Sequence, residues 1–177
     1  MKPWIAAIAV AVVVSAGGCK STPFQDPFSL PQIDWKPSLI LDIGQAERIL
    51  GNQSRLEKVS AYLDDGTRAY QSAFRDDWLD PQTGKTGILY YMYEEYRSAD
   101  AARSSLVVTL KANHIDPAGG IRMEDGAEVH YLAGGRVIRM VMILKENHLV
   151  RVKVNQLTSR YSLDEFKKVA GELANQL

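Results

Sequence analysis

The residue types that could do chemistry in this chain are few and stand apart. His114, His130 and His148 are its three histidines. Glu128 and His130 would share one face of a strand, because strand side chains alternate with period two. His114-x-Asp116 could also offer two ligands. Neither spacing matches an established metal site, so no metal and no other cofactor is expected. His148 reads as a hairpin-turn residue. Thr83-Gly84-Lys85-Thr86 ends as a phosphate-binding loop ends, but Leu79 stands where that motif needs its first glycine. Carboxylates occur in adjacent pairs: Asp64-Asp65, Asp76-Asp77, Glu94-Glu95 and Glu124-Asp125. Adjacent strand residues point to opposite faces and turn residues are solvated, so these pairs do not read as acid–base couples. Glu94 and Glu95 sit among Tyr90, Tyr91, Tyr93 and Tyr96. That setting suits a sugar-binding surface slightly and tyrosine packing better. A Gly-x-Ser-x-Gly elbow is missing, and Cys19 is the single cysteine.

The elements that would position these residues can be read in order. Asp42 with Gln45 forms a capping box before the apolar stripe Ile43, Ala46, Ile49 and Leu50, which Gly51-Asn52 closes. Val59, Ala61 and Leu63 alternate with Lys58, Ser60 and Tyr62, and Asp65-Gly66 gives a tight turn into a return strand marked by Tyr70 and Phe74. The charged run Arg75-Asp76-Asp77 is expected to lead into a loop through Pro81 and Gly84. A tyrosine-rich strand follows at 88–96. Ser98 caps a second helix with the stripe Ala99, Ala102, Leu106 and Leu110, ending near His114. A short strand or bend at 121–123 precedes strands at 127–132, 136–144 and 148–155. Ser162 and Glu165 form a further capping box before Leu163, Phe166, Val169, Ala170 and Leu173.

This order implies an α+β fold: an antiparallel sheet with helices packed on one face, in the sequence helix, three strands, helix, three or four strands, helix. The two helix-then-strands halves suggest an internal duplication. One register can be fixed further. A two-residue turn at Glu146-Asn147 pairs Lys145 with His148. Val137, Val141, Ile143, Val150, Val152 and Val154 then share one face as core. Ile138, Met140, Met142 and Leu144 share the other, with Arg151 opposite Met142 and Lys153 opposite Met140. Met140, Met142, Arg151 and Lys153 thus form a candidate binding surface, adaptable and rimmed by cations. The alternative is a helix lying over that face while the cations reach out to water. Burial of Met140 and Met142 decides between them.

The N-terminal stretch speaks of location. Lys2 is followed by an uncharged, largely apolar run at 4–16, then Gly17-Gly18-Cys19. Thirteen residues suit a signal-peptide core and fall short of the roughly 20 that span a bilayer. This stretch resembles a bacterial lipoprotein signal peptide ending in a lipobox, although Ala16 and Gly17 stand where the commonest lipobox has Leu and then Ala or Ser. The resemblance implies lipidation at Cys19 with palmitate-type acyl chains, each buried methylene adding about 0.8 kcal/mol of anchoring. With Lys20 after the cysteine it also implies the outer membrane, facing the periplasm. Residues 20–37 hold Pro23, Pro27, Pro31 and Pro37, a semi-rigid spacer reaching about 55 Å if extended. Phe24, Phe28 and Trp35 exceed what a tether needs. Trp35, nearest the fold, is expected to dock back on it.

The chain therefore divides into a signal peptide at 1–18, a lipidated cysteine and proline-rich linker at 19–37, and one α+β domain at 38–177. Its 21 basic and 21 acidic residues balance, which removes the electrostatic footprint of a nucleic-acid binder. The expected partners are the membrane, through lipid on Cys19, and an envelope protein. The leading expectation is a non-catalytic binding or assembly module of the cell envelope. The alternative is an envelope hydrolase or small-ligand sensor whose pocket gathers sequence-distant residues.

Overall fold

The computed structural model describes residues 30–134 and 137–177. Residues 1–18, Cys19, and the first part of the linker with Phe24 and Phe28, to residue 29, lie outside the described residues. Among the described residues, three α-helices and seven strands follow in the order α1 (Ile43–Leu50), β1 (Ser54–Asp64), β2 (Thr67–Leu79), β3 (Thr86–Glu95), α2 (Ala99–Ala112), β4 (Ile121–Arg122), β5 (Glu128–Gly134), β6 (Val137–Lys145), β7 (His148–Gln156) and α3 (Leu163–Gln176). The strands make one antiparallel sheet ordered β1-β2-β3-β7-β6-β5-β4. Two meanders, one of three strands and one of four, thus meet where β3 pairs with β7, and α2 connects them.

Local chemistry explains the boundaries. Asp42 Oδ1 accepts the Gln45 N–H at 2.7 Å and Gln45 Oε1 accepts the Asp42 N–H at 3.1 Å, completing the capping box of α1. Gly51 ends that helix at φ 77°, where a side chain would be strained. Asp65 and Gly66 turn β1 into β2 at φ 43° and 74°. Glu146 at φ 53° turns β6 into β7, with Lys145 paired to His148 as the two-residue turn requires. Ser162 caps α3 by accepting the Glu165 N–H at 3.2 Å. Glu165 itself turns away from the cap, to Arg48 at 2.8 Å and Lys168 at 2.7 Å. The charged run Arg75-Asp76-Asp77 lies within β2 and leads into the expected loop through Pro81 and Gly84. Asp76 pairs with Ser54 of β1, and its buried carboxyl is 1% exposed as a residue.

The helices occupy both faces of the sheet, not one. α1 and α3 close over Phe74, Leu89, Tyr91, Val141, Ile143, Val150, Val152 and Val154. α2 lies on the opposite face, where Ala102, Leu106 and Leu110 pack on Leu132, Met140, Met142, Leu144 and Leu149. A sheet with two apolar faces over β6 and β7 needs a helix on each side to bury both. The linker's last turn belongs to this domain too. Residues 31–33 lie along β1, with the Ile33 N–H donated to Ala61 O and the Leu63 N–H to Pro31 O, both at 3.0 Å. Trp35 packs 6.0 Å from the Tyr93 ring, with the Arg68 guanidinium 5.1 Å from its own.

Candidate functional site

The predicted methionine face exists and is sealed. Met142 is 0% exposed and Met140 7%, both beneath α2, so they present no surface to a ligand. Ile138 leaves that face altogether. β6 carries a bulge between its pairings Met140–Leu132 and Ile138–Ala133, which skips Arg139 and reverses the alternation. Ile138 therefore packs with the valine core. Lys153 keeps its predicted place opposite Met140 on β7. Arg151, opposite Met142, lines a cavity.

That cavity follows from how far α2 reaches. The helix packs on β6 and β7, leaving a step down to β3, β2 and β1 on the same face. At the step lies a cleft of about 360 Å³ lined by Tyr62, Asp64, Asp65 and Thr67 of the first hairpin, Ala69, Met92, Glu94 and Tyr96, Ser105, Val108 and Thr109 of α2, and Arg151. The register assembles it row by row. Tyr62 pairs with Ala69 and Ala69 with Glu94, while Met92 pairs with Arg151. Ala69 is small, which leaves room between Tyr62 and Glu94.

At its floor Arg151 Nη1 and Glu94 Oε2 stand 3.0 Å apart, each side chain 12% exposed. Arg151 Nη2 also donates to Ser105 Oγ at 2.9 Å, and Nη1 approaches Met92 Sδ at 3.6 Å. The Tyr96 hydroxyl donates to the same Ser105 Oγ at 2.7 Å. Gln71 donates to the Tyr62 hydroxyl at 2.6 Å, which leaves the Tyr62 proton available to a ligand. Burial raises the Glu94 carboxyl above the usual carboxylate range, and Arg151 and Tyr96 offset part of that rise. Burial, with help from Glu94, pushes the Tyr96 hydroxyl up to about 12. The cleft is thus a desolvated polar site in which one charge pair is anchored by helix, hydroxyl and sulfur together.

The histidines stand elsewhere. Glu128 and His130 do share a strand face and meet, His130 Nε2 to Glu128 Oε1 at 2.6 Å. Arg103 of α2 grips the same carboxylate at 2.6 and 3.2 Å. Burial pushes the Glu128 carboxyl upward, but the bonds from Arg103 and His130 outweigh it and hold the group below its ordinary range. A Cβ at Gly120 would fall 2.5 Å from His130 Nε2, so the cluster is closed. It pins α2 to β5. Asp116 caps the turn after α2 by accepting the Ala118 N–H at 2.9 Å, and His148 Nδ1 meets the Tyr93 hydroxyl at 2.9 Å. Among the described residues no group of three His, Cys, Asp or Glu side chains could hold a metal ion. Nor is any described helix long and apolar enough to cross a membrane.

Comparison with known proteins returns no relative: no family model, no curated protein and no solved structure matches the chain. Function therefore has to be argued from the cleft.

Proposed function

We propose that the chain is a lipid-anchored lipoprotein of the bacterial cell envelope and a binding module without catalysis, with the cleft beside α2 as its binding site. The cleft carries the reading. A concave site of about 360 Å³ holding a desolvated Glu94–Arg151 pair, two tyrosine hydroxyls and apolar Met92 and Val108 has the mixed lining that ligand sites have. Binding is favoured over hydrolysis by the state of the one serine there. Ser105 Oγ accepts from both Tyr96 and Arg151 and, among the described residues, donates to no histidine or carboxylate, whereas the His130–Glu128 pair is closed off under Arg103. The lipoprotein-like stretch up to Cys19 supports the envelope location, and the attachment of residues 31–33 to β1 makes that sheet edge the side from which the chain leads back toward Cys19.

Two measurements in cells test this. Replacing Cys19→Ala is expected to abolish incorporation of labelled palmitate and move the protein out of the membrane pellet. A photoreactive residue at Thr67 or Val108, on the cleft, is expected to capture one envelope protein that a photoreactive residue at exposed Lys168 does not. Unchanged palmitate labelling in the Cys19→Ala variant would remove Cys19 as the lipidated residue, and no labelling of the unaltered chain would remove the anchor. Equal capture from all three positions would remove the cleft as the contact.

A further inference from the structure

Resting on the cleft as a binding site, we propose that its ligand carries an organic cation, an ammonium or guanidinium on an apolar stem, seated between the first hairpin and Glu94. Three carboxylates line the cleft, Asp64, Asp65 and Glu94, against one guanidinium. That guanidinium is committed. Arg151 is paired with Glu94 at 3.0 Å, donates from Nη2 to Ser105 and lies against Met92, and its unpartnered Nε is buried, so its charge is already matched within the lining. Arg97, the next cation along, lies across Gly66 at the hairpin turn and is not part of the lining. Tyr62 and Tyr96 add aromatic surface, which attracts cations through the ring quadrupole, most strongly where water is excluded.

The local field agrees. Burial pushes the Tyr62 hydroxyl up to about 12, and both Glu94 and Asp64 raise it by more than Arg151 lowers it. Negative potential focused in a low-dielectric cleft concentrates positive ligands there. Val108, Met92 and Ala69 supply the apolar wall for the stem. The shared chemistry has two sources: a free small amine, or a basic side chain of a partner protein.

Methionine methyl resonances of the full-length chain in detergent provide the readout, because Met92 lies in the cleft while Met140 and Met142 lie beneath α2 as internal references. The probes are benzylamine, its neutral counterpart benzyl alcohol, the anion phenylacetate, and the capped peptide acetyl-Leu-Lys-Leu-amide. Benzylamine is expected to shift Met92 and to bind at least about tenfold more tightly than benzyl alcohol. The Asp64→Asn, Asp65→Asn double variant, altered only at exposed residues at the end of the first hairpin, is expected to lose about threefold or more of that affinity and none of the affinity for benzyl alcohol. Asparagine tolerates the positive φ at position 65, so this variant keeps the fold. Tighter binding by the peptide than by benzylamine assigns the cation to a partner protein, and the reverse order assigns it to a free amine. Phenylacetate binding best, or benzylamine binding no better than the alcohol, overturns the cation while leaving the cleft as a binding site. No Met92 shift with any probe removes the cleft itself.

Discussion

Asp76 shows what one carboxylate can cost a fold. It sits on β2, 1% exposed, with Gly87 of β3 so close that a Cβ there would fall 2.5 Å from Asp76 Oδ2. Burial raises its carboxyl above the ordinary aspartate value. The backbone N–H groups of Gly87 and Trp78 and the Asn52 side chain oppose the rise without cancelling it. A raised folded-state value means the native protein holds this proton more tightly than the unfolded chain does. Stability attached to Asp76 is therefore full below the unfolded value, about 3.9, and is lost as pH climbs through the raised folded one. Asp76→Asn keeps the shape and removes the ionisation. In urea unfolding, the variant is expected to gain on the wild type as pH rises above about 4 and to show no gain below it. A gain of equal size at every pH would assign the effect to packing and not to charge. Gly87→Ala is expected to lower stability in the same urea unfolding by a different route, since the added methyl must displace the buried Asp76 carboxyl and crowds Leu50 Cδ2 at 3.1 Å.

At the scale of elements, α2 is the piece that makes the cleft, because it covers one half of its sheet face and stops. Its hold on the sheet is the short stripe Ala102, Leu106 and Leu110 plus the Arg103–Glu128 clamp. Leu106 is 1% exposed against Met140, Met142 and their neighbours, so Leu106→Ala should cost about 2–5 kcal/mol in chemical denaturation. A loss below about 0.5 kcal/mol, the usual size of a surface change, would mean that α2 is not fastened through this stripe. Much of the element level was legible in the sequence. The caps at Asp42, Ser98 and Ser162, the Glu146-Asn147 turn and the pairing of Met142 with Arg151 all follow from local chemistry. Which face each helix takes did not follow, because an apolar stripe states that it is buried and not against what. The same limit applied to the site. Glu94 was visible as a carboxylate among tyrosines and Arg151 as a cation on the methionine face. Their meeting depends on β3 pairing with β7 across the whole of α2, β4, β5 and β6, and no local signal encodes that register. The bulge at Arg139, which sends Ile138 to the other face, is likewise a product of the ladder and not of the alternating pattern.

The whole molecule is an open sheet, and an open sheet has two edges that can pair with other chains. One is protected by brevity: β4 is two residues long. The other is β1, eleven residues long, with Leu56 50%, Val59 48% and Leu63 41% exposed. Residues 31–33 cover its far end through the Ile33–Ala61 and Leu63–Pro31 hydrogen bonds, and Trp35 and Arg68 follow immediately after. What reads in sequence as the last part of a spacer is therefore an edge guard as well. A chain beginning at residue 38 loses the guard and keeps every helix and strand of the sheet. Compared with a chain beginning at residue 30, it is expected to retain its far-ultraviolet circular dichroism and to self-associate with rising concentration in sedimentation velocity. Val59→Lys in the shorter chain should restore the monomer, since a charge on an exposed edge blocks pairing while leaving the interior untouched. If the two chains sediment alike at all concentrations, the bare part of β1 is already sufficiently guarded by its own twist and charges, and residues 31–33 serve only to fix the direction in which the chain leaves the domain.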